Sequence, residues 1–303
     1  MNSEKRNIQF PIIMNPIDDD IKQVRNGLEE HNKTHPHGKL DIPAPDISLI
    51  LRDKDDLIIG GVITSMMTGV MHLETLWVDE KHRRKGLGSL LVLEAERLGK
   101  AKGYPTSQTW TFSFQAPKFY PSIGYKRIAT FDGYTNGITE DIFMKRLDKP
   151  HPSQPKQIKP ELSDFTIHED ATKESMKVIY ERMYEYVDQH IGDRLKMHPD
   201  TQLNFVIKKP DGQVIGGLLT RCYLKAMYIN QLWVHKSYRG RGYGSELVNT
   251  AEQKAKENGC ISILASVLSF QSPEFFQKIG FQSFGESDGY PYPTKEFYFI
   301  KRI

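Results

Sequence analysis

The sequence predicts a protein of the α/β (α+β) class built from two tandem domains. Three observations predict it: an ungapped internal repeat, a proline-rich joint, and the same succession of strand-like and helix-like segments in each copy. A shift of 156 positions, laying Gly86 on Gly242, also lays Gly60-Gly61 on Gly216-Gly217 and Leu76-Trp77-Val78 on Leu232-Trp233-Val234. In the same frame Ser113-Phe114-Gln115 meets Ser269-Phe270-Gln271, and Phe119, Gly124 and Asp132-Gly133-Tyr134 meet Phe275, Gly280 and Asp288-Gly289-Tyr290. About a third of the positions from Gly60 to Tyr134 are identical. Stacked repeats have periods of about 20–50 residues, so a period this long makes each copy a domain. Between the copies, the run from Lys149-Pro150-His151-Pro152 to Lys159-Pro160 is polar and lacks a hydrophobic period, as an extended linker would. The domains are expected at 1–148 and 163–303, with the linker over 149–162.

Each copy opens with a strand (8–13 and 165–168) and an amphipathic helix. Ile17, Ile21, Val24 and Leu28 recur at helical spacing in the first copy; Met176, Ile179, Tyr180, Met183 and Val187 do so in the second. Asp18-Asp19-Asp20 stands where acidic side chains offset a helix dipole. Strands at 48–52 and 204–208 turn, through Pro210-Asp211-Gly212 in the second copy, into strands at 58–64 and 214–220. A third strand ends in Leu-Trp-Val. A basic glycine-rich turn follows, then a helix over 89–102 or 245–258, with Gly103 and Gly259 placed for its C-cap. A further strand, a short helix around Phe119 or Phe275, and a final strand pair close each unit.

Bulk properties exclude several function classes. Hydrophobic content of 38% and charged content of 26% suit a globular protein, and a net charge of +3 over both halves makes no case for a nucleic-acid partner. No apolar run approaches the roughly 18–20 residues needed to span a bilayer. Two cysteines, Cys222 and Cys260, are too few for a disulfide framework and lack metal-ligand spacing. A cytoplasmic protein without membrane or metal partners is expected. The histidines of His31-Asn32-Lys33-Thr34-His35-Pro36-His37 have no cysteine or paired carboxylate beside them.

The chemistry is carried by the glycine-rich turn. A strand, then Arg83-Arg84-Lys85-Gly86-Leu87-Gly88-Ser89, then a helix is an anion-binding arrangement. Glycines let a ligand approach the backbone, and the helix start presents N–H groups with the positive end of the dipole. The second copy repeats the device in Arg239-Gly240-Arg241-Gly242-Tyr243-Gly244-Ser245. No Gly-Lys-Ser/Thr follows, which excludes a nucleotide P-loop, and only two of the three dinucleotide-fold glycines are present.

Both turns, as Arg83-x-x-Gly86-x-Gly88 and Arg239-x-x-Gly242-x-Gly244, resemble the Q/R-x-x-G-x-G/A signature of the GNAT superfamily of acetyltransferases. Phe114 to Tyr125 and Phe270 to Phe281 resemble its second landmark, an aromatic-rich helix ending in Gly-Phe/Tyr. The resemblance spans nearly the whole chain. It implies two GNAT domains, each a mixed, mostly antiparallel twisted sheet flanked by helices and splayed to hold acetyl-CoA. The pyrophosphate would lie on the N–H groups from Arg84 to Ser89 and from Gly240 to Ser245. The pantetheine would run beside Leu76-Trp77-Val78 and Leu232-Trp233-Val234, with an N–H near Leu76 or Leu232 polarising the thioester carbonyl. Phe119 and Phe275 are expected to pack rather than to touch the coenzyme.

Tyr120 matches the family position that protonates the departing thiolate, whereas Phe276 stands there in the second copy. His72 and Glu74, two apart on the strand before the turn, are the candidate bases; the second copy has Tyr228 and Asn230. The expectation is an N-acetyltransferase, a monomer or homodimer, acting on an amine of a small molecule or peptide with the first copy catalytic. Tyr243 or Tyr290 would serve a catalytic second copy. The alternatives are an acyl-CoA-binding sensor or scaffold and a different acyl transfer on the same fold.

Overall fold

The computed structural model describes residues 9–35, 46–149, 165–169, 172–191, 202–291 and 293–303. The first copy runs β1 (Ile12–Met14), α1 (Asp18–Thr34), β2 (Ser48–Asp53), β3 (Ile58–Met67), β4 (Val70–Val78), α2 (Leu87–Ala101), β5 (Thr106–Phe112), α3 (Phe119–Ser122), β6 (Lys126–Phe131) and β7 (Glu140–Arg146). The second runs β8 (Phe165–His168), α4 (Lys173–Ile191), β9 (Phe205–Lys208), β10 (Val214–Tyr223), β11 (Ala226–Val234), α5 (Tyr243–Glu257), β12 (Ser262–Leu268), α6 (Pro273–Lys278), β13 (Gln282–Ser287) and β14 (Glu296–Arg302). From residue 150 onward the expected linker lies outside the described residues, as does His37. Helices α2 and α5 begin two residues earlier than the pattern suggested. Gly86 and Gly242, at φ of +84° and +93°, are themselves the caps, so the second glycine of each turn already belongs to the helix.

Among the described residues the strands form one fourteen-stranded sheet in the order β1-β9-β10-β11-β12-β14-β13-β6-β7-β5-β4-β3-β2-β8. Only β4–β5 and β11–β12 pair in parallel among the described residues, so the sheet is mixed and mostly antiparallel. Its ends carry an exchange. Strand β1 pairs with β9 of the second copy, and β8 pairs with β2 of the first. Helix α1 correspondingly packs on β10 and β11, and α4 on β3 and β4.

The physical reason lies in the glycine pairs of the repeat. A Cβ on Gly217 would lie 2.3 Å from Val24, and one on Gly61 would lie 2.9 Å from Ile179. The missing side chains are therefore the seats of the exchanged helices. Val24 joins Trp233, Val206 and Leu219 in one cluster, while Ile179 joins Trp77, Ile50 and Ile63 in the other. Polar ties hold the same exchange: Asp20 of α1 pairs with Lys208 of β9 at 2.7 Å, and Arg52 of β2 donates to Ser175 of α4 at 3.3 Å. The repeat boundaries divide the sequence, while the packing runs across them.

The copies meet about a local two-fold axis. Ala129 of β6 pairs with Gly285 of β13, and these two residues are each other's counterparts in the repeat. Ser262 donates to the carbonyl of Gly133 at 2.7 Å, and its counterpart Thr106 donates to that of Gly289. Each copy also repeats an ion pair between its long helix and last strand. Glu96–Lys145 and Glu252–Lys301 are both at 2.6 Å, and each lysine further donates to the carbonyl of Ile123 or Ile279. Cys222 and Cys260 are free thiols in one apolar cluster. No helix among the described residues is long and apolar enough to cross a membrane.

Candidate active site

Each glycine-rich turn is built as an anion cradle. The cap carbonyls of Gly86 and Gly242 accept from Leu90 and Glu246 at 3.0 Å, which leaves the N–H groups of Leu87-Gly88-Ser89 and Tyr243-Gly244-Ser245 at the helix start with no intrahelical acceptor. The Leu87 and Tyr243 side chains point into the two cores, so these residues offer only backbone to a ligand. Phe119 and Phe275 close behind the second glycine, 3.7 and 3.4 Å from where a Cβ would stand on Gly88 and Gly244. Arg83 and Arg239 each donate through Nε to the last strand carbonyl, Val78 or Val234, at 2.9 Å; they brace the turn against its strand. Arg84, Lys85 and Arg241 remain exposed around it.

Beside each cradle the sheet splays. Strands β4 and β5 pair only from Met71 to Leu73, and β11 and β12 only from Ala226 to Ile229. Register shifts in the neighbouring pairs leave Glu74 and Asn230 as the extra residues just past those points. Beyond them Leu76-Trp77-Val78 and Leu232-Trp233-Val234 have no partner on that edge. Within each triplet the tryptophan turns away, to the exchanged helix, while the flanking residues pack towards the sheet's own helix.

The exchanged helices reach both splays. The second copy holds a cleft of 1010 Å³ running from Gly240–Ser245 past Leu232–Val234 to Ile229, Asn230, Ala265 and Ser266. Leu28 and His31 of the exchanged helix α1 line it. Burial and the neighbouring Arg239 charge, 3.4 Å away, hold His31 below the usual imidazole range. Gln231 also lines the cleft, and its Oε1 is buried without a hydrogen-bond partner. In the first copy Tyr186 of α4 stands beside Arg83 as His31 stands beside Arg239: its hydroxyl donates to the Phe114 carbonyl at 3.2 Å and its ring lies 5.1 Å beneath the Arg83 guanidinium.

A smaller chamber of 370 Å³ lies where the central strands of the two copies face each other. His72, Glu74, Gln108, Trp110 and Glu140 line it from the first copy; Arg221, Tyr228, Asn230, Ser266, Glu296 and Tyr298 do so from the second. It shares Ile229, Asn230, Ala265 and Ser266 with the large cleft, so the splay of β11 and β12 borders both cavities. Tyr290 and Tyr298 donate to Oε2 of Glu296 at 2.7 and 2.6 Å, and Ser266 donates to Oε1. Glu140, its counterpart in the repeat, accepts from Tyr134 at 2.6 Å and from Tyr228 at 3.0 Å. Burial pushes the Glu140 carboxyl up to about 8.

The expected catalytic side chains are therefore separated. His72 and Glu74 reach the chamber, but Tyr120 is buried in the first core, stacked on Phe143, with its hydroxyl against Thr109 and its ionisation pushed up by burial. Phe276 occupies the same place on Phe299. Tyr290 is engaged by Glu296, and Tyr243 lies in the core. His31 and His35 meet edge to face, with His35 stacked on Phe270, and no metal-binding group of three or more ligands occurs among the described residues. Reading the sequence missed Glu140, Glu296, Gln108 and Trp110. The repeat of Tyr134 and Glu140 as Tyr290 and Glu296 was the available signal.

Comparison with known proteins gives the family. A blasticidin-S acetyltransferase from Streptomyces morookaense is 38% identical over 89 residues, 29% of this chain and 65% of that protein, so the match spans less than two thirds of the relative. An acetyltransferase of Agrobacterium fabrum is 25% identical over 122 residues, 40% of this chain and 86% of that one. Among solved structures, an acetyltransferase from Bacillus cereus is 33% identical and covers 45% of this chain and 96% of its own, at a TM-score of 0.43. The model of the acetyltransferase (GNAT) family matches residues 19–125 and again 167–281, and the chain belongs to that family.

Proposed function

We propose that this chain transfers the acetyl group of acetyl-CoA directly to an amine, with the coenzyme held in the cleft of the second copy. The observation that carries the reading is the run of that cleft from the helix start at Gly242 to the splay at Asn230, a residue that also lines the chamber. The residues present fit the coenzyme. The N–H groups of Tyr243, Gly244 and Ser245 suit the pyrophosphate, and the unpaired edge Leu232–Val234 suits the amide-bearing arm. The buried Oε1 of Gln231 waits for a donor there. Bound acetyl-CoA supplies an activated thioester; the N–H groups past the Asn230 bulge would polarise its carbonyl. On this reading catalysis lies at the second cradle, whereas the tyrosine pattern favours the first. A sensor that binds acyl-CoA without turnover is the second reading, favoured by Phe276, which has no proton for a thiolate.

Calorimetric titration with acetyl-CoA, with thiol release over a panel of amines that includes blasticidin S, separates these readings. Tight binding with turnover is expected. Gly242→Ala forces a Cβ onto a left-handed residue and strains the cradle by about 1–2 kcal/mol, so affinity falls by about tenfold or more. Gly86→Ala, equally strained, is expected to leave affinity within about twofold. The reverse order moves the coenzyme to the first copy. Binding without turnover favours the sensor, and no binding sinks the proposal.

A further inference from the structure

Resting on the reading that the coenzyme lies in the second copy, we propose that the chamber between the copies is the acceptor site for a small cationic amine. Glu74 and Glu296 draw in its ammonium group, and His72, contributed by the first copy, takes its proton. The active site would then belong to neither copy alone.

Three independent features point to this ligand. The first is unsatisfied acceptors: His72 Nε2 and Gln108 Oε1 are buried without hydrogen-bond partners, and both side chains line the chamber. A buried polar atom without a partner costs about 1–3 kcal/mol, and an N–H donor would remove that cost. Burial favours the neutral ring of His72, against the opposing pull of Glu296 and Glu74.

The second feature is charge. Two carboxylates, Glu74 and Glu296, line a space of 370 Å³ beside Glu140, whose carboxyl burial pushes up to about 8, and the cation there, Arg221, lies 4.9 Å over the Tyr228 ring. The Trp110 face, packed edge-on to Tyr298 at 5.6 Å, adds a surface that attracts cations. An anionic acceptor would meet repulsion.

The third is proximity. Asn230, at the bulge where the thioester would lie, lines the chamber as well as the coenzyme cleft, as do Ile229, Ala265 and Ser266. The proton balance then closes. His72 removes one proton from the ammonium, and the neutral nitrogen attacks the acetyl carbon. The C–N bond forms, the C–S bond breaks, and the second nitrogen proton goes to the departing thiolate. The products are the N-acetyl amine, coenzyme A thiol and protonated His72.

The test uses the full chain with spermidine, agmatine and tyramine as cationic probes and glutamate as the anionic one. Steady-state kinetics are read beside calorimetric binding of acetyl-CoA and of spermidine to the coenzyme A complex. Glu296→Gln is expected to raise the spermidine KM and Kd by about tenfold while leaving acetyl-CoA affinity within about twofold. Glu74→Gln, at an exposed position that tolerates change, is expected to do the same more weakly. His72→Gln is expected to lower kcat by about a hundredfold with little change in either affinity. Unchanged KM, Kd and kcat in Glu74→Gln and His72→Gln would overturn the chamber assignment while leaving the coenzyme reading intact, as would a preference for glutamate. Failure of the wild-type chain to bind acetyl-CoA would overturn both.

Discussion

At the scale of single residues, Glu140 and Glu296 show how one carboxyl position can be used twice. Glu296 accepts from two tyrosines, a serine and, at 3.2 Å, from Gln108. Glu140 has two tyrosine donors and a carboxyl raised to about 8 from 4.5 by burial. A raised acid binds its proton more tightly in the fold than in the open chain. Its stabilising contribution is therefore complete below about pH 4.5 and is lost as pH rises through about 8. Glu140→Gln mimics the neutral form and removes that dependence, which is worth a few kcal/mol. Thermal denaturation from pH 5 to 9 is expected to show the wild-type midpoint falling by several degrees relative to the variant. Parallel curves would mean that Glu140 is ionised throughout.

At the scale of elements, the informative unit is the exchanged strand and helix. Helix α1 belongs to the first copy in sequence, yet Leu28 and His31 wall the cleft of the second. A side chain on Gly27 would begin 2.3 Å from the Trp233 indole. Gly27→Val is expected to destabilise the chain by about 1–3 kcal/mol through overpacking and to weaken acetyl-CoA binding at the other copy's cradle. Denaturation with and without acetyl-CoA checks both effects; a stability loss with affinity intact would detach α1 from the cleft. Helices α1 and α4 were legible because Val24 and Ile179 recur on an apolar face, and the cradles because their glycine spacing is local. Periodicity names an apolar face without naming its partner, so the exchange was not legible. The chamber was hidden for a related reason: His72, Gln108, Tyr228 and Glu296 come together only through the curl of the whole sheet. Tyr120 was found by its place in a motif, but burial depends on Phe143 and Thr109, which lie elsewhere in the chain.

At the scale of the whole molecule, the copies form an internal pseudo-dimer whose strands continue across Ala129 and Gly285. A Cβ on Gly285 would fall 2.4 Å from that of Ala129. Gly285→Val is expected to part the junction at a cost of about 1–3 kcal/mol and to raise the acceptor KM more than the acetyl-CoA Kd. Equal changes in both would place the chamber's geometry outside the junction's control. The exchange also sets an order of events during synthesis. The face bearing Ile50, Ile63 and Trp77 leaves the ribosome about 100 residues before Ile179, the side chain that covers it. At roughly 5–20 residues per second, that apolar face stays bare for about 5–20 s, so the nascent chain holds an open sheet in need of shielding until its second half arrives.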